Sequence, residues 1–233
     1  MPRALLRSRP AASDAGAAEY ASAAVPRRSV PWRAASWVAL DFELTGLDPR
    51  RDEIISFGAI PIDSGRVQLG AAVSALVRPT HEIGEASIRV HGIRAADLAR
   101  APSLRESIGV LLGAIAGRAV VAHSAHVERA FLKRALREHG LRMRGQLVDT
   151  ELLGRLWLHQ RDGRWRGRLS LSELAGELGL PAERPHDALA DALTTAQVFI
   201  ALATYLDGDR PETVGSLSRG RLRLDALRVF HAG

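Results

Sequence analysis

A short apolar run that ends in two acidic residues is the feature that most constrains the fold of this chain. Trp37-Val38-Ala39-Leu40 is continuously apolar, which favours a strand buried on both faces. Asp41 and Glu43 follow, and their one-residue separation directs both carboxylates to the same face of a strand. Neighbouring carboxylates that lose hydration repel each other unless a cation or a proton lies between them. The pattern predicts a central strand with a cation site at its end; a solvated turn beginning at Asp41 is the alternative.

Apolar strands and helical periodicity alternate along most of the chain. The patterns predict strands at 37–40, 54–62, 67–77, 119–122 and 147–148, and helices at 104–115, 124–139, 150–158, 170–178 and 187–206. Asp63-Ser64-Gly65 has the composition of a hairpin turn, and Ser170 with Glu173 forms a capping box. The order of elements predicts an α/β domain.

The ends of the chain differ in composition from its middle. Residues 1–34 are rich in Ala, Arg, Ser and Pro without a sustained apolar period, which predicts a disordered basic tail. A mitochondrial presequence is the alternative, although Asp14 and Glu19 count against it. We therefore expect one domain over 35–206, followed by a basic, poorly packed tail over 207–233.

The composition restricts the chemistry and the partners. The chain has no cysteine, which excludes disulfides and thiolate-bound metals and leaves carboxylates and imidazoles as strong ligands. A net charge of +6 favours a polyanion, either nucleic acid or an anionic membrane surface, although the arginine excess equally fits a GC-rich genome. No run approaches the roughly 20 apolar residues of a membrane span, and the amino terminus lacks the core of a secretory signal. We expect a soluble, cytoplasmic protein without a membrane partner.

Two segments of the chain resemble motifs of one enzyme family. Val38 to Asp48, containing Asp41-Phe42-Glu43-Leu44-Thr45-Gly46, resembles motif I of the DEDDh 3′→5′ exonucleases, the group that contains the proofreading subunit of bacterial replicative DNA polymerase, RNase T and oligoribonuclease. His186-Asp187-Ala188-Leu189-Ala190-Asp191 has the spacing of the family's third motif. The similarity covers about residues 36–205.

This resemblance implies a fold and a reaction. The fold is ribonuclease H-like, a mixed five-stranded sheet whose first three strands are antiparallel, with helices on its faces. The reaction is a two-metal hydrolysis with Mg²⁺ or Mn²⁺, in which Asp41, Glu43 and Asp191 hold the ions and His186 accepts a proton. It releases nucleoside 5′-monophosphates from DNA or RNA 3′ ends, in proofreading or repair. A homodimer or a replication or repair protein is the implied partner.

The second family motif is altered in this chain. The family pattern His-Asn-x-x-Phe-Asp corresponds to His123-Ser124-Ala125-His126-Val127-Glu128, so Glu128 stands where the fourth carboxylate is usually an aspartate. Its longer side chain keeps the charge and is expected to contact a cation directly or through water. A solvated helix glutamate is the alternative for this residue. The change leaves open a nucleic-acid-binding module that has lost catalysis, and a phosphodiesterase of short oligonucleotides is a third reading.

Two segments are candidates for binding the substrate. Leu44 and Thr45 correspond to positions where the family holds the terminal nucleotide, although an ordinary strand-ending turn also fits them. The segment 155–168 interleaves five arginines with Trp157 and Trp165, which fits a clamp for phosphates and bases. A solvated basic loop is the alternative for this segment.

Overall fold

The computed structural model describes residues 12–181, 185–208 and 211–219. Its strands are β1 (Trp37–Leu44), β2 (Ile54–Asp63), β3 (Arg66–Val67), β4 (Val73–Leu76), β5 (Ala119–Ala122) and β6 (Leu147–Asp149). Its helices are α1 (Ala12–Ser22), α2 (Glu85–His91), α3 (Ala95–Leu98), α4 (Leu104–Ile115), α5 (His126–Glu138), α6 (Thr150–Asp162), α7 (Leu171–Glu177), α8 (Ala188–Leu206) and α9 (Val214–Leu217). Short 3₁₀ turns lie at Trp32–Ala34 and Leu69–Ala71.

The sheet is mixed and lies between two layers of helices. Its order is β3-β2-β1-β5-β6, and β4 also pairs with β2. The first strands are antiparallel, whereas β5 and β6 run parallel to β1. Alternate β1 side chains enter different cores: Trp37 and Ala39 pack with α8, and Val38 and Leu40 pack with α4 and α5. The strand is thus buried on both faces, as predicted from its continuous apolar run.

Five strands were predicted, and the described part of the chain has six, because the expected strand over 67–77 is divided into β3 and β4. Ser64 and Gly65 adopt positive φ angles of 53° and 68° and form the predicted turn. Beyond β3, the Gln68 amide donates to the Pro61 carbonyl at 2.9 Å. Pro61 has no N–H to return the bond, so the ladder is interrupted there and resumes with β4. The mixed, initially antiparallel sheet is confirmed, and only the strand count was wrong.

The prediction of a disordered tail over 1–34 is wrong for residues 12–34; residues 1–11 lie outside the described part. Helix α1 packs closely on α4, and a methyl group added at Gly16 would overlap the Gly109 carbonyl. Tyr20 is buried, and its hydroxyl donates to the Arg142 carbonyl at 3.1 Å. These contacts rest on a few large or small residues without an apolar period, so periodicity did not reveal them.

Trp32 connects this amino-terminal segment to the other end of the fold. Its ring is fully buried and lies edge-on to Phe199, with 5.9 Å between ring centroids. Its indole N–H donates to Asp207 at 2.9 Å, and a β-bridge joins Pro31 to Thr213. The expected poorly packed tail after 207 is therefore packed over residues 211–219; residues 209–210 and 220–233 lie outside the described part.

Helix α8 forms much of one core layer. It is 19 residues long and is apolar enough, by length and composition, to cross a membrane, and half of the qualifying window is buried inside the protein. Asp187 caps its amino terminus by accepting from the Leu189 and Ala190 amides. The helix begins where the sequence predicted it and delivers Asp191 from its first turn.

Candidate active site

Three carboxylates converge at the end of β1. Each of Asp41, Glu43 and Asp191 places an oxygen within 4.8 Å of the others. Asp41 and Glu43 share the face of β1 that Trp37 and Ala39 turn toward α8, which explains why they meet an acid carried by that helix. The sequence predicted this meeting of residues that are about 150 positions apart in the chain.

A glycine in β2 allows that close approach. Gly58 pairs with Asp41 in the sheet register. A Cβ atom at residue 58 would overlap the Ala188 carbonyl and would lie 2.6 Å from the Leu189 Cα. The missing side chain therefore lets the start of α8 lie directly on β2, beside the carboxylates. Sequence analysis did not identify Gly58 as part of the site; its place opposite Asp41 is visible only once the strand register is known.

Burial and mutual repulsion raise the pKa values of these acids in the absence of a cation. Loss of hydration raises the pKa of Asp41 well above its ordinary value, and the charges of Glu128, Asp191 and Glu43 raise it further. Burial, followed by the charges of Asp191 and Asp187, raises the pKa of Glu43 to about 8. The pKa of Asp191 is also raised, mainly by burial. The cluster is therefore a site where a cation and protons compete.

Glu128 approaches the cluster from the first turn of α5. Its side chain is only 6% exposed, and burial raises its pKa to about 8. Its Oε2 is buried and, among the described residues, lacks a hydrogen-bond partner. Its charge influences Asp41 more than any other charge does, yet it lies outside the group of three converging oxygens. The solvated-helix alternative for Glu128 is therefore wrong, because the residue is buried beside the cluster.

A buried polar network supports the start of α5. Ser124 adopts a positive φ of 50° and donates its hydroxyl to Glu151 at 2.8 Å. Asp149 accepts from the Ala125 and Glu151 amides, both at 3.0 Å, and thus joins the starts of α5 and α6. The ring nitrogens of His123 lie 3.0 Å from the Thr150 hydroxyl and 2.8 Å from the Leu169 carbonyl. These hydrogen bonds hold the altered motif against the start of α6.

His186 lies next to Asp191 on the loop before α8. Its backbone adopts a φ of 64°, and its amide donates to the Asp191 carboxylate at 2.8 Å. The residue is exposed, so its imidazole is accessible from outside the cluster. Its backbone therefore lies beside the carboxylates, and its role as a proton acceptor stays a prediction.

Leu44 and Thr45, the two residues predicted to hold a terminal nucleotide, have different surroundings. Leu44 is buried in the core layer that contains α4 and α5. The Thr45 hydroxyl accepts from the Glu53 amide at 2.9 Å and lies 3.3 Å from an Asp52 oxygen. Both side chains are thus engaged inside the protein, and their contact with a terminal nucleotide stays a prediction.

Two of the five arginines in the arginine and tryptophan segment are neutralised by acids. Arg161 and Arg166 both form ion pairs with Asp162 and Glu177, at 2.6 to 3.7 Å. Trp157 is 8% exposed, and Arg161 covers its ring at 4.7 Å. These internal pairings favour the alternative of a solvated loop over a clamp for phosphates and bases.

Comparisons with known proteins agree on one family. Residues 38–199 match the family model RNase T, described as an exonuclease. The chain is 36% identical over 200 residues to a DNA polymerase III PolC-type protein of Thermotoga petrophila, covering 84% of this chain and 14% of that protein. It is 28% identical over 171 residues to a DNA polymerase III subunit epsilon of Aquifex aeolicus, covering 73% of this chain and 82% of the relative.

A solved structure shares the fold. A structure titled exonuclease X in complex with 5′ overhanging duplex DNA superposes with a TM-score of 0.60 at 22% identity, covering 79% of this chain and 98% of that one. At this identity the likeness concerns the fold alone.

Proposed function

This chain belongs to the exonuclease family whose model spans residues 38–199, and on that basis we propose that it removes nucleotides singly from the 3′ ends of DNA or RNA. The observation that carries the proposal is the convergence of Asp41, Glu43 and Asp191 within 4.8 Å at the end of β1. The products are nucleoside 5′-monophosphates. The likeness to polymerase III proteins supports a role in proofreading or repair, in the cytoplasm and beside a replication protein or a second copy.

The carboxylate cluster fits hard divalent cations. Several acids with raised pKa values meet there, and a buried Glu128 oxygen has no hydrogen-bond partner in the described part. Carboxylate oxygens are the ligands that Mg²⁺ prefers, and Mn²⁺ accepts them as well. We assign Asp41, Glu43, Asp191 and Glu128 to hold two such ions. Bound there, the ions would lower the pKa of a water molecule and offset the negative charge that develops during hydrolysis.

The protein's own groups position the reactants and move one proton. Water attacks the terminal phosphorus, the bond to the 3′ oxygen of the preceding nucleotide breaks, and that oxygen leaves and takes up a proton from solvent. His186 accepts the proton of the attacking water, because an imidazole nitrogen can act as a general base. Its amide bond to Asp191 keeps this base next to the carboxylates.

The proposal is tested by cleavage of 5′-labelled DNA and RNA oligonucleotides with Mg²⁺ or Mn²⁺. The unaltered chain should shorten the strand in steps of one nucleotide. Asp41→Asn keeps the side-chain shape, removes its charge and should lower the rate at least about 100-fold, the scale on which removing one charge-stabilising group acts. Arg66→Gln, a charge change on the exposed strand β3, is the control. Full activity in Asp41→Asn would contradict the site assignment.

A binding module without catalysis remains the second candidate, because Glu128 lies outside the group of three converging oxygens. A Glu128→Asp variant distinguishes the two functions in the same assay. If the unaltered chain is inactive and Glu128→Asp restores cleavage, the binding module is favoured. If the unaltered chain already cleaves, the second candidate fails.

A further inference from the structure

We propose that the exposed face of α5 binds the phosphate backbone of the nucleic acid on the 5′ side of the terminal 3′ nucleotide. This inference rests on the proposed function and names a second contact surface for the same substrate. The surface consists of Arg129, Lys133 and Arg137, called here the α5 basic stripe.

The spacing of these residues places them on one side of the helix. Arg129, Lys133 and Arg137 follow one another at intervals of four, so their side chains are neighbours along the helix axis. All three are exposed, while Glu128, Phe131 and Leu132 occupy the buried side. From Arg129 to Arg137 the stripe is about 12 Å long, which corresponds to about three to four phosphates of one strand in a duplex.

The α5 basic stripe destabilises its own helix in the free protein. Like charges at intervals of four destabilise a helix, and a cation in the first turn, such as Arg129, opposes the helix dipole. Within the described residues, none of the three has a carboxylate at ion-pair distance, whereas their neighbour Arg134 pairs with Glu138 at 2.8 Å. A polyanion bound along this face would remove the repulsion.

Two arginines elsewhere in the protein are ion-paired, unlike those of the α5 basic stripe. In the loop between α6 and α7, Asp162 and Glu177 neutralise Arg161 and Arg166. Arg161 and Arg166 therefore leave less positive charge for a partner than the three cations of the α5 basic stripe, which have no carboxylate at ion-pair distance within the described residues. Uncompensated charge in a row along a helix suits the phosphates of a nucleic acid.

The stripe is also continuous with the candidate active site. Helix α5 carries Glu128 in its first turn. Arg134 donates to the carbonyls of Pro49 and Asp52 at 3.1 and 2.9 Å, which fixes α5 beside the turn that follows the catalytic strand. That turn exposes Arg50 and Arg51. A strand whose end lies at Asp41 can therefore continue across this turn and along α5.

The test measures how binding depends on salt. Fluorescence anisotropy in metal-free buffer gives the slope of log Kd against log salt for two probes: a 20-nucleotide single strand, and the same strand in a duplex. Each lost phosphate contact reduces this slope by about 0.7 for a single strand and about 0.9 for a duplex. The double variant Arg129→Gln/Lys133→Gln should therefore reduce it by about 1.4 or about 1.8, respectively.

A matched double variant removes equal charge elsewhere. Arg161→Gln/Arg166→Gln changes two exposed residues whose charges Asp162 and Glu177 already offset, and should leave the slope unchanged. A reduction with the duplex alone assigns the stripe to the paired region, and a reduction with both probes assigns it to the strand being degraded. An unchanged slope in the α5 variant, or an equal reduction in the control, would overturn the proposal.

Cleavage measured in parallel separates this inference from the proposed function. The α5 variant should lower kcat/KM for the 20-nucleotide strand more than for a dinucleotide, because a dinucleotide does not reach the stripe. Absence of cleavage by every form with both metals would defeat the proposed function, whereas the salt slopes would still decide the role of α5.

Discussion

Glu43 has a buried carboxyl group whose ionisation should make the stability of the protein depend on pH. Its side chain is 6% exposed, and burial raises its pKa from 4.5 to about 8. Between pH 4.5 and about 8, Glu43 keeps a proton in the folded protein that it has lost in the unfolded chain. The free energy of unfolding contributed by Glu43 therefore falls as pH rises from 4.5 to about 8. A cation bound there would replace the proton and reverse this loss.

Thermal unfolding at different pH values checks this. In metal-free buffer, the Tm of the unaltered protein should fall from pH 6 to pH 9 more than that of Glu43→Gln, which keeps the shape and cannot ionise. Each 1 kcal/mol lost lowers the Tm of a chain of this size by about 2–4 °C. Magnesium should raise the Tm at pH 9 more in the unaltered protein. Identical curves for the two proteins would show that Glu43 does not titrate in this window.

At the scale of elements, the sequence predicted what depends on regular patterns. The β1 strand, the capping box at Ser170 and the helix from Asp187 follow from periodicity and from capping chemistry, and the structure contains all three. The interruption of the third strand was missed because it depends on which side of β2 the Pro61 carbonyl faces. Distances between acids also required the strand register. Motif spacing identifies which acids meet, and packing decides how closely.

Gly58 shows how one element positions another. Gly58→Ala should displace the start of α8 from β2, because the added methyl would overlap the Ala188 carbonyl. Asp191 would move with the helix, and a displacement of about 1 Å can cost about 100-fold in rate. We expect weaker Mn²⁺ binding by calorimetry and slower cleavage. Gly70→Ala is the control, since nothing lies within 4 Å of a Cβ atom there. Equal metal affinity in the two variants would contradict this role.

At the scale of the whole molecule, the fold extends beyond the segment that the family motifs cover. Trp32 is fully buried against Phe199, although it precedes the first residue of the family match. Composition predicted disorder here because alanine, arginine and proline dominate. One tryptophan buries as much apolar surface as several small residues, and a compositional average does not register it.

Removal of that ring should destabilise the entire protein. Trp32→Ala is expected to lower the free energy of unfolding by about 3–5 kcal/mol, the usual cost of truncating a buried aromatic side chain. Urea unfolding monitored by circular dichroism measures this loss. Leu69→Ala is the control, because Leu69 is 62% exposed. A loss no larger than that of the control would mean that residues before β1 form a dispensable tail.

The bridge from Pro31 to Thr213 joins two segments that flank the family match at residues 38–199. A domain whose flanking segments lie side by side can be inserted into a larger protein without stretching its host. The PolC-type relative carries its corresponding segment as 14% of a much longer polypeptide. In this chain the joined segments lie near Trp37, whose indole donates to the Trp32 carbonyl at 2.8 Å, at the opposite end of β1 from Asp41 and Glu43.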